Sequence, residues 1–148
     1  MPDGSELAEA VVPHVVQLAK RHGAELTLLR VAHPHALRAA DLAAAQRQVA
    51  QNAEAYLAGV AHRLAAAGVS AVPVLRVGST PLEILDEVWE RRPDLVAMAT
   101  HGRTGLTHLL LGSVAEQVLR ASPVPVLLFP ARALQATDAA PAAASATA

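Results

Sequence analysis

From Ser5 to Phe129 helix-like stretches alternate with short apolar runs, and this alternation constrains the fold more than any other feature. The runs are "AELTLLRV" (24–31), "VSAVPVLRV" (69–77), "LVAMA" (95–99) and "VPVLLF" (124–129), rich in Val and Leu and bounded by turn-forming residues. Ahead of the first, Ser5 to His22 places Leu7, Val11, Val15 and Leu18 on one helical face, with Ser5 as N-cap and Gly23 as the stop. Pro13 sits inside this helix and removes one of its hydrogen bonds. A second helix is expected over Leu37 to Ala67, ending at Gly68. The third begins at Thr80 as N-cap, with Pro81 at the first helical position and Glu83 closing a capping box. The fourth runs from Val114 to Ala121. Strand and helix in strict alternation imply right-handed crossovers and a parallel sheet covered on both faces. The run 95–99 lacks polar alternation, as a strand buried on both faces should. Pro73 assigns the 69–77 strand to an edge.

A chain of 148 residues is long enough for one domain with a single core. Aromatic residues are only 2 %, so that core is aliphatic and base stacking has almost nothing to use. A net charge of −1 with mixed signs gives no footprint for nucleic acid. The absence of cysteine excludes disulfides, thiolate metal sites and thiol catalysis. "MPDGSELAE" is too polar for a signal peptide, and no apolar run approaches the roughly eighteen residues of a membrane span. A cytoplasmic protein without a membrane partner is expected. Residues 1–130 are read as the domain, and the Ala/Thr/Pro/Ser-rich residues 131–148 as a disordered tail.

One stretch holds unusual chemistry: "ATHGRTGLTHLLLGSVAEQV", residues 99–118. Ser113 and Glu116 stand in the S-x-x-E relation that caps a helix, and a helix start offers free N–H groups to an anion. Gly102, Gly105 and Gly112 permit close backbone approach, and Arg103 adds a fork of donors. Neither G-x-x-x-x-G-K-[ST] nor G-x-G-x-x-G is present, so any phosphate here is held by backbone amides and Arg103. The same residues also suit an ordinary strand-to-helix loop. His33, His35 and His101 lack metal-ligand spacing, and Ser113 with His101 and Asp3 lacks the nucleophile elbow of a triad. Asp86, Glu87, Glu90, Arg91 and Arg92 read as a solvated helix face. No catalytic residue and no metal site is assigned.

"DGSELAEAVVPHVVQLAKRHGAELTLLRV", "GSTPLEIL" and "DLVAMATHGRTGLTHLLLGSVAEQVLRASPVPVLLF" resemble the universal stress protein family across nearly the whole chain to Phe129. Its nucleotide-binding members carry glycine, two residues, glycine, nine residues, then glycine and Ser/Thr. Gly102, Gly112 and Ser113 meet that pattern, and Ala99 stands at the first glycine. The resemblance implies a Rossmann-like α/β fold of the adenine nucleotide alpha hydrolase-like kind. Its parallel sheet has the family order 3-2-1-4-5, with the first strand largely absent here. It also implies ATP or a related adenine nucleotide at the switch point between the first and fourth strands, with Mg or Mn carried by the phosphates. Asp3 would lie beside the adenosine, and Val31 and Met98 beside the base, although both also read as core. Gly102, Arg103, Gly112, Ser113 and Val114 would lie on the phosphate side.

The function implied is a stress-response regulatory module. Two alternatives stand beside it: a dimeric interaction protein that binds no nucleotide, which Ala99 favours, and a slow ATP hydrolase. Homodimerisation is expected through the last strand, Val124 to Phe129, an apolar edge. The family's first strand precedes Asp3, where only Met1 and Pro2 stand, so the natural protein is expected to begin upstream. Otherwise the flanking strands close the gap, or a partner chain fills it.

Overall fold

The computed structural model describes residues 4–33, 42–100 and 112–130. Its elements are α1 (Gly4–His22), β1 (Leu26–Ala32), α2 (Leu42–Ala66), β2 (Ala71–Val77), α3 (Thr80–Arg91), β3 (Val96–Thr100), α4 (Ser113–Ala121) and β4 (Val126–Pro130). The order is the expected one, with strands starting one or two residues late. For β1 and β2 the helix ends explain the delay. Gly23 and Gly68 take positive φ, +61° and +79°, and the chain just beyond bonds back onto the helix. The N–H of Ala24 donates to Ala19 at 3.0 Å and that of Val69 to Leu64 at 2.9 Å, so neither residue is free to begin a ladder.

β1 pairs in parallel with β2, from Leu26 opposite Ala71 to Ala32 opposite Val77. β3 pairs in parallel with β4, from Val96 opposite Val126 to Thr100 opposite Pro130. These are two two-stranded sheets. They match the two flanks of the expected order, and among the described residues no strand lies between β1 and β3. Pro73 falls on an edge strand as expected. Ser70 accepts from Leu26 and Gly78 donates to Ala32, so even-numbered residues of β2 turn toward β1. Pro73 therefore turns its missing N–H outward, where no ladder bond is lost.

The alternation of strand side chains separates two faces. Leu26 and Leu28 of β1 and Ala71 of β2 pack against Ala19 of α1 and Val60 and Leu64 of α2, which are buried together with Val69. α1 reaches further, packing on β3 and stacking His14 on Phe129 of β4 with ring centroids 5.4 Å apart. On the opposite face α3 packs against α4 and β1, and α4 buries Ala115 and Val118. With so few aromatics these layers are filled by Val, Leu and Ala, as the composition requires.

Two expectations are corrected. The charged run 86–92 is not uniformly solvated: Glu87 is 5 % exposed. Alternation along β2 aims Arg76 at α3, and the i, i+4 spacing brings Arg91 to the same carboxylate. Arg76 donates to Glu87 Oε2 from Nε at 2.8 Å and from Nη2 at 2.6 Å. Arg91 Nε donates to the other oxygen, and Arg76 also reaches Glu90. Burial pushes the Glu87 carboxyl up, but the hydrogen bonds from Arg76 and Arg91 outweigh it and hold it below the ordinary carboxylate range. The second correction concerns the start of α3. Ser79, not Thr80, is the N-cap residue, without a side-chain cap, and the N–H of Glu83 donates to its carbonyl at 2.9 Å. Thr80 Oγ1 instead pairs with His33 Nε2 at 2.9 Å, fastening the end of β1 to the start of α3.

Candidate functional site

Parallel strands bring their carboxyl ends to one edge of a sheet, and the loops leaving that edge are where such folds hold ligands. β1 ends in Val31-Ala32, followed by His33, and β3 ends in Met98-Ala99-Thr100. Val31, Met98 and Ala99 are half-buried and Thr100 is buried. Met98 lies opposite Leu128, and Ala99 opposite Phe129. Asp3, Gly102 and Arg103 lie outside the described residues.

At Gly112 the chain turns into α4 with φ +80°. The carbonyl of Gly112 accepts the first intrahelical bond, from the N–H of Glu116 at 2.9 Å, which makes glycine the N-cap. The cap assigned to Ser113 is thereby corrected. The positive φ starts the helix one residue earlier, so Ser113 is its first residue, exposed and without a side-chain cap. The N–H groups of Ser113, Val114 and Ala115 have no acceptor within the helix. Among the described residues a Cβ at position 112 would meet no atom within 4 Å, so the glycine is required by its conformation. Half-buried Val114 and buried Ala115 anchor this turn, and α4 packs on β3. Three donors without a helical acceptor at the positive end of a nine-residue helix form an arrangement that suits an anion.

Beside Val31 lies a cavity of about 360 Å³, lined by Arg30, Ala32, His33, Val49, Asn52 and Ala53 as well as Val31. Its size falls within the range of small-molecule sites. Arg30 sits with its guanidinium carbon 4.9 Å from the centre of the Tyr56 ring, which steadies that wall by a cation–π contact. Arg30 and Asn52 escaped sequence reasoning because they come from different elements and belong to no motif. Met98 and Ala99 are adjacent on β3, against which α4 packs, whereas Val31 belongs to the other strand pair. Among the described residues no three His, Asp or Glu side chains gather as a metal site, and no helix is long and apolar enough to cross a membrane.

Parallel strands sheathed by helices, with a glycine-initiated helix beyond the end of β3, define a Rossmann-like α/β protein. The chain belongs to the universal stress protein family, whose model matches residues 2–130. It is 27 % identical over 137 residues to universal stress protein YxiE of Bacillus subtilis, covering 85 % of this chain and 93 % of that protein. It superposes on the solved structure of MJ0577, a universal stress protein of Methanocaldococcus jannaschii, with a TM-score of 0.73. That match has 27 % identity and covers 86 % of this chain and 90 % of the other. A universal stress protein in complex with cAMP matches with a TM-score of 0.63 at 24 % identity, covering 88 % and 92 %. Two more distant members share the fold. One, from Archaeoglobus fulgidus, holds dAMP (TM-score 0.59, 16 % identity, 86 % and 91 % covered). The other, from Arabidopsis thaliana, holds AMP (TM-score 0.57, 18 % identity, 85 % and 76 % covered).

Proposed function

We propose that this chain binds an adenine nucleotide, ATP or a close relative, at the carboxyl ends of β1 and β3, and acts as a stress-response regulatory module. The observation that carries this reading is the start of α4: Gly112 at φ +80°, and three N–H groups without a helical acceptor. Family members that hold cAMP, dAMP and AMP support the adenine nucleotide class. In this reading Gly112, Ser113 and Val114 meet the phosphates together with Gly102 and Arg103, while Val31, Met98 and Asp3 serve the adenosine end. No P-loop lysine is present, so backbone amides and one arginine supply the attraction, and any Mg or Mn arrives on the phosphates. The chain pairs with a second copy along Val124–Phe129.

A second reading, a dimeric interaction protein that takes no nucleotide, is favoured by Ala99, whose methyl occupies the position of the motif's first glycine. Titration calorimetry of the full chain with ATP, AMP and cAMP separates the two. Binding on the order of micromolar is expected for at least one of them. No heat at about a thousandfold higher concentration rejects the nucleotide reading.

A further inference from the structure

The helix-covered face of β1 changes character along its length. Leu26 and Leu28 pack against the buried cluster of Ala19, Val60 and Leu64, and alternation puts the side chain of Arg30 on that same face, toward α2. It is half-buried there, with its guanidinium carbon 4.9 Å from the centre of the Tyr56 ring. The contact with Tyr56 steadies the guanidinium but brings it no negative charge. Among the described residues the guanidinium has neither a carboxylate nor any other hydrogen-bond acceptor as partner. Taking a cation partly out of water carries a cost that an anion normally offsets.

Arg30 stands on the wall of the cavity of about 360 Å³ between β1 and α2. Asn52 and His33 are the other polar side chains lining it. Asn52 Oδ1 already accepts from Gln48 Nε2 at 2.9 Å, which leaves the Asn52 amide N–H groups to be used. His33 Nε2 is engaged with Thr80 Oγ1. The cavity therefore offers hydrogen-bond donors and one full positive charge, and no Asp or Glu is among its described lining residues. The remaining wall is apolar, and on it Val49 is still 45 % exposed.

We propose that this cavity binds a small carboxylate with a hydrocarbon body, whose oxygens accept from Arg30 and Asn52 while the body covers Val49 and Ala53. This site is independent of the nucleotide reading, which is carried by the start of α4, a helix packed on β3 and absent from this cavity. A carboxylate suits the polar wall because its two oxygens lie in one plane, as the donors of a guanidinium do. Inorganic phosphate has more oxygens to satisfy than one arginine and one amide can meet, and it has nothing to set against the apolar wall. A neutral ligand would leave Arg30 uncompensated. A cavity of this size is at the small end of ligand sites, which limits the body to a short chain or one ring.

The test titrates the 148-residue chain with hexanoate and follows the Arg30 Nε–H and the Asn52 side-chain amide by proton–nitrogen NMR. Saturable shifts of both signals are expected, with Kd below about 1 mM. Hexanamide, the neutral analogue of the same length, and inorganic phosphate should each bind at least about tenfold more weakly. Arg30→Met keeps an unbranched stem over Tyr56 without the charge, and should weaken hexanoate binding about tenfold or more. Asn52 is exposed on α2, so Asn52→Ala keeps the fold even where Arg30→Met does not, and should weaken binding about threefold or more. No saturation by about 10 mM hexanoate overturns the proposal, as does hexanamide or phosphate binding as tightly. Unchanged affinity in a folded Arg30→Met, or in Asn52→Ala, overturns it too. Displacement of hexanoate by AMP assigns the cavity to the nucleotide and likewise overturns it. A chain that binds hexanoate but no nucleotide keeps this site and loses only the nucleotide reading.

Discussion

Replacing Glu87 by alanine removes the acceptor of two hydrogen bonds from Arg76 and one from Arg91. Breaking a fully buried ion pair costs about 3–5 kcal/mol, because a charge is left without solvent or partner. Here the stranded groups recover water, since the side chains of Arg76 and Arg91 are 29 % and 44 % exposed, and Arg76 keeps Glu90. The cost therefore falls toward that of an unsatisfied polar group, about 1–3 kcal/mol. Two kcal/mol lowers the midpoint of a domain this size by roughly 5–8 °C. The pH dependence fixes the cause. Glu87 titrates lower in the folded chain than in the unfolded one, so its contribution is complete above the ordinary glutamate value near about 4.3 and is lost as pH falls through the folded value. Urea unfolding of wild type and Glu87→Ala, followed by circular dichroism at pH 7 and at steps below 4.3, measures both effects. The gap between the two proteins is expected to be wide at pH 7 and to close in acid. A loss under about 0.5 kcal/mol at pH 7, or a gap unchanged by acid, refutes the reasoning. A double-mutant cycle with Arg76→Met checks that the coupling lies in this pair.

Three other outcomes are expected. Ser113→Ala should change stability by less than about 0.5 kcal/mol because Ser113 makes no cap, yet weaken nucleotide binding; Gly112→Ala should lose about 1 kcal/mol or more through its positive φ. Thermal melts and calorimetry on both variants check this. Leu127→Lys, on a strand edge where Leu127 is 37 % exposed, should shift the chain toward monomer in light scattering at tens of micromolar protein. With no general base identified, ATP turnover should stay below about 1 per second in a phosphate-release assay.

The order of elements was legible because it rests on local patterns: Val and Leu runs, glycine stops and the outward proline of an edge strand. The two capping assignments missed by one residue for a common reason. Ser79 and Thr80 are adjacent capping types, as are Gly112 and Ser113, and backbone torsion chooses between them. Glu87 was misread because its partner Arg76 lies on a different element, and a helical pattern alone does not show which strand faces the helix. Within the site, the Gly112 turn was visible through motif spacing, whereas the wall formed by Arg30 and Asn52 depends on β1 meeting α2. Val31 and Ala99 are the penultimate residues of β1 and β3, and Met98 is the middle residue of β3.

Pro73 has a consequence for how copies of this molecule can add to one another. Unlimited growth by strand addition needs a receptive outer border at each end of the particle. On β4 the outward residues are Val126 and Leu128, which offer N–H groups, and then Pro130, which does not. On β2 the middle of the border is Pro73, which interrupts the row of donors and discourages docking there. Each outer border thus carries one proline, Pro73 on β2 and Pro130 on β4, so a ladder extended on either border would meet one missing donor.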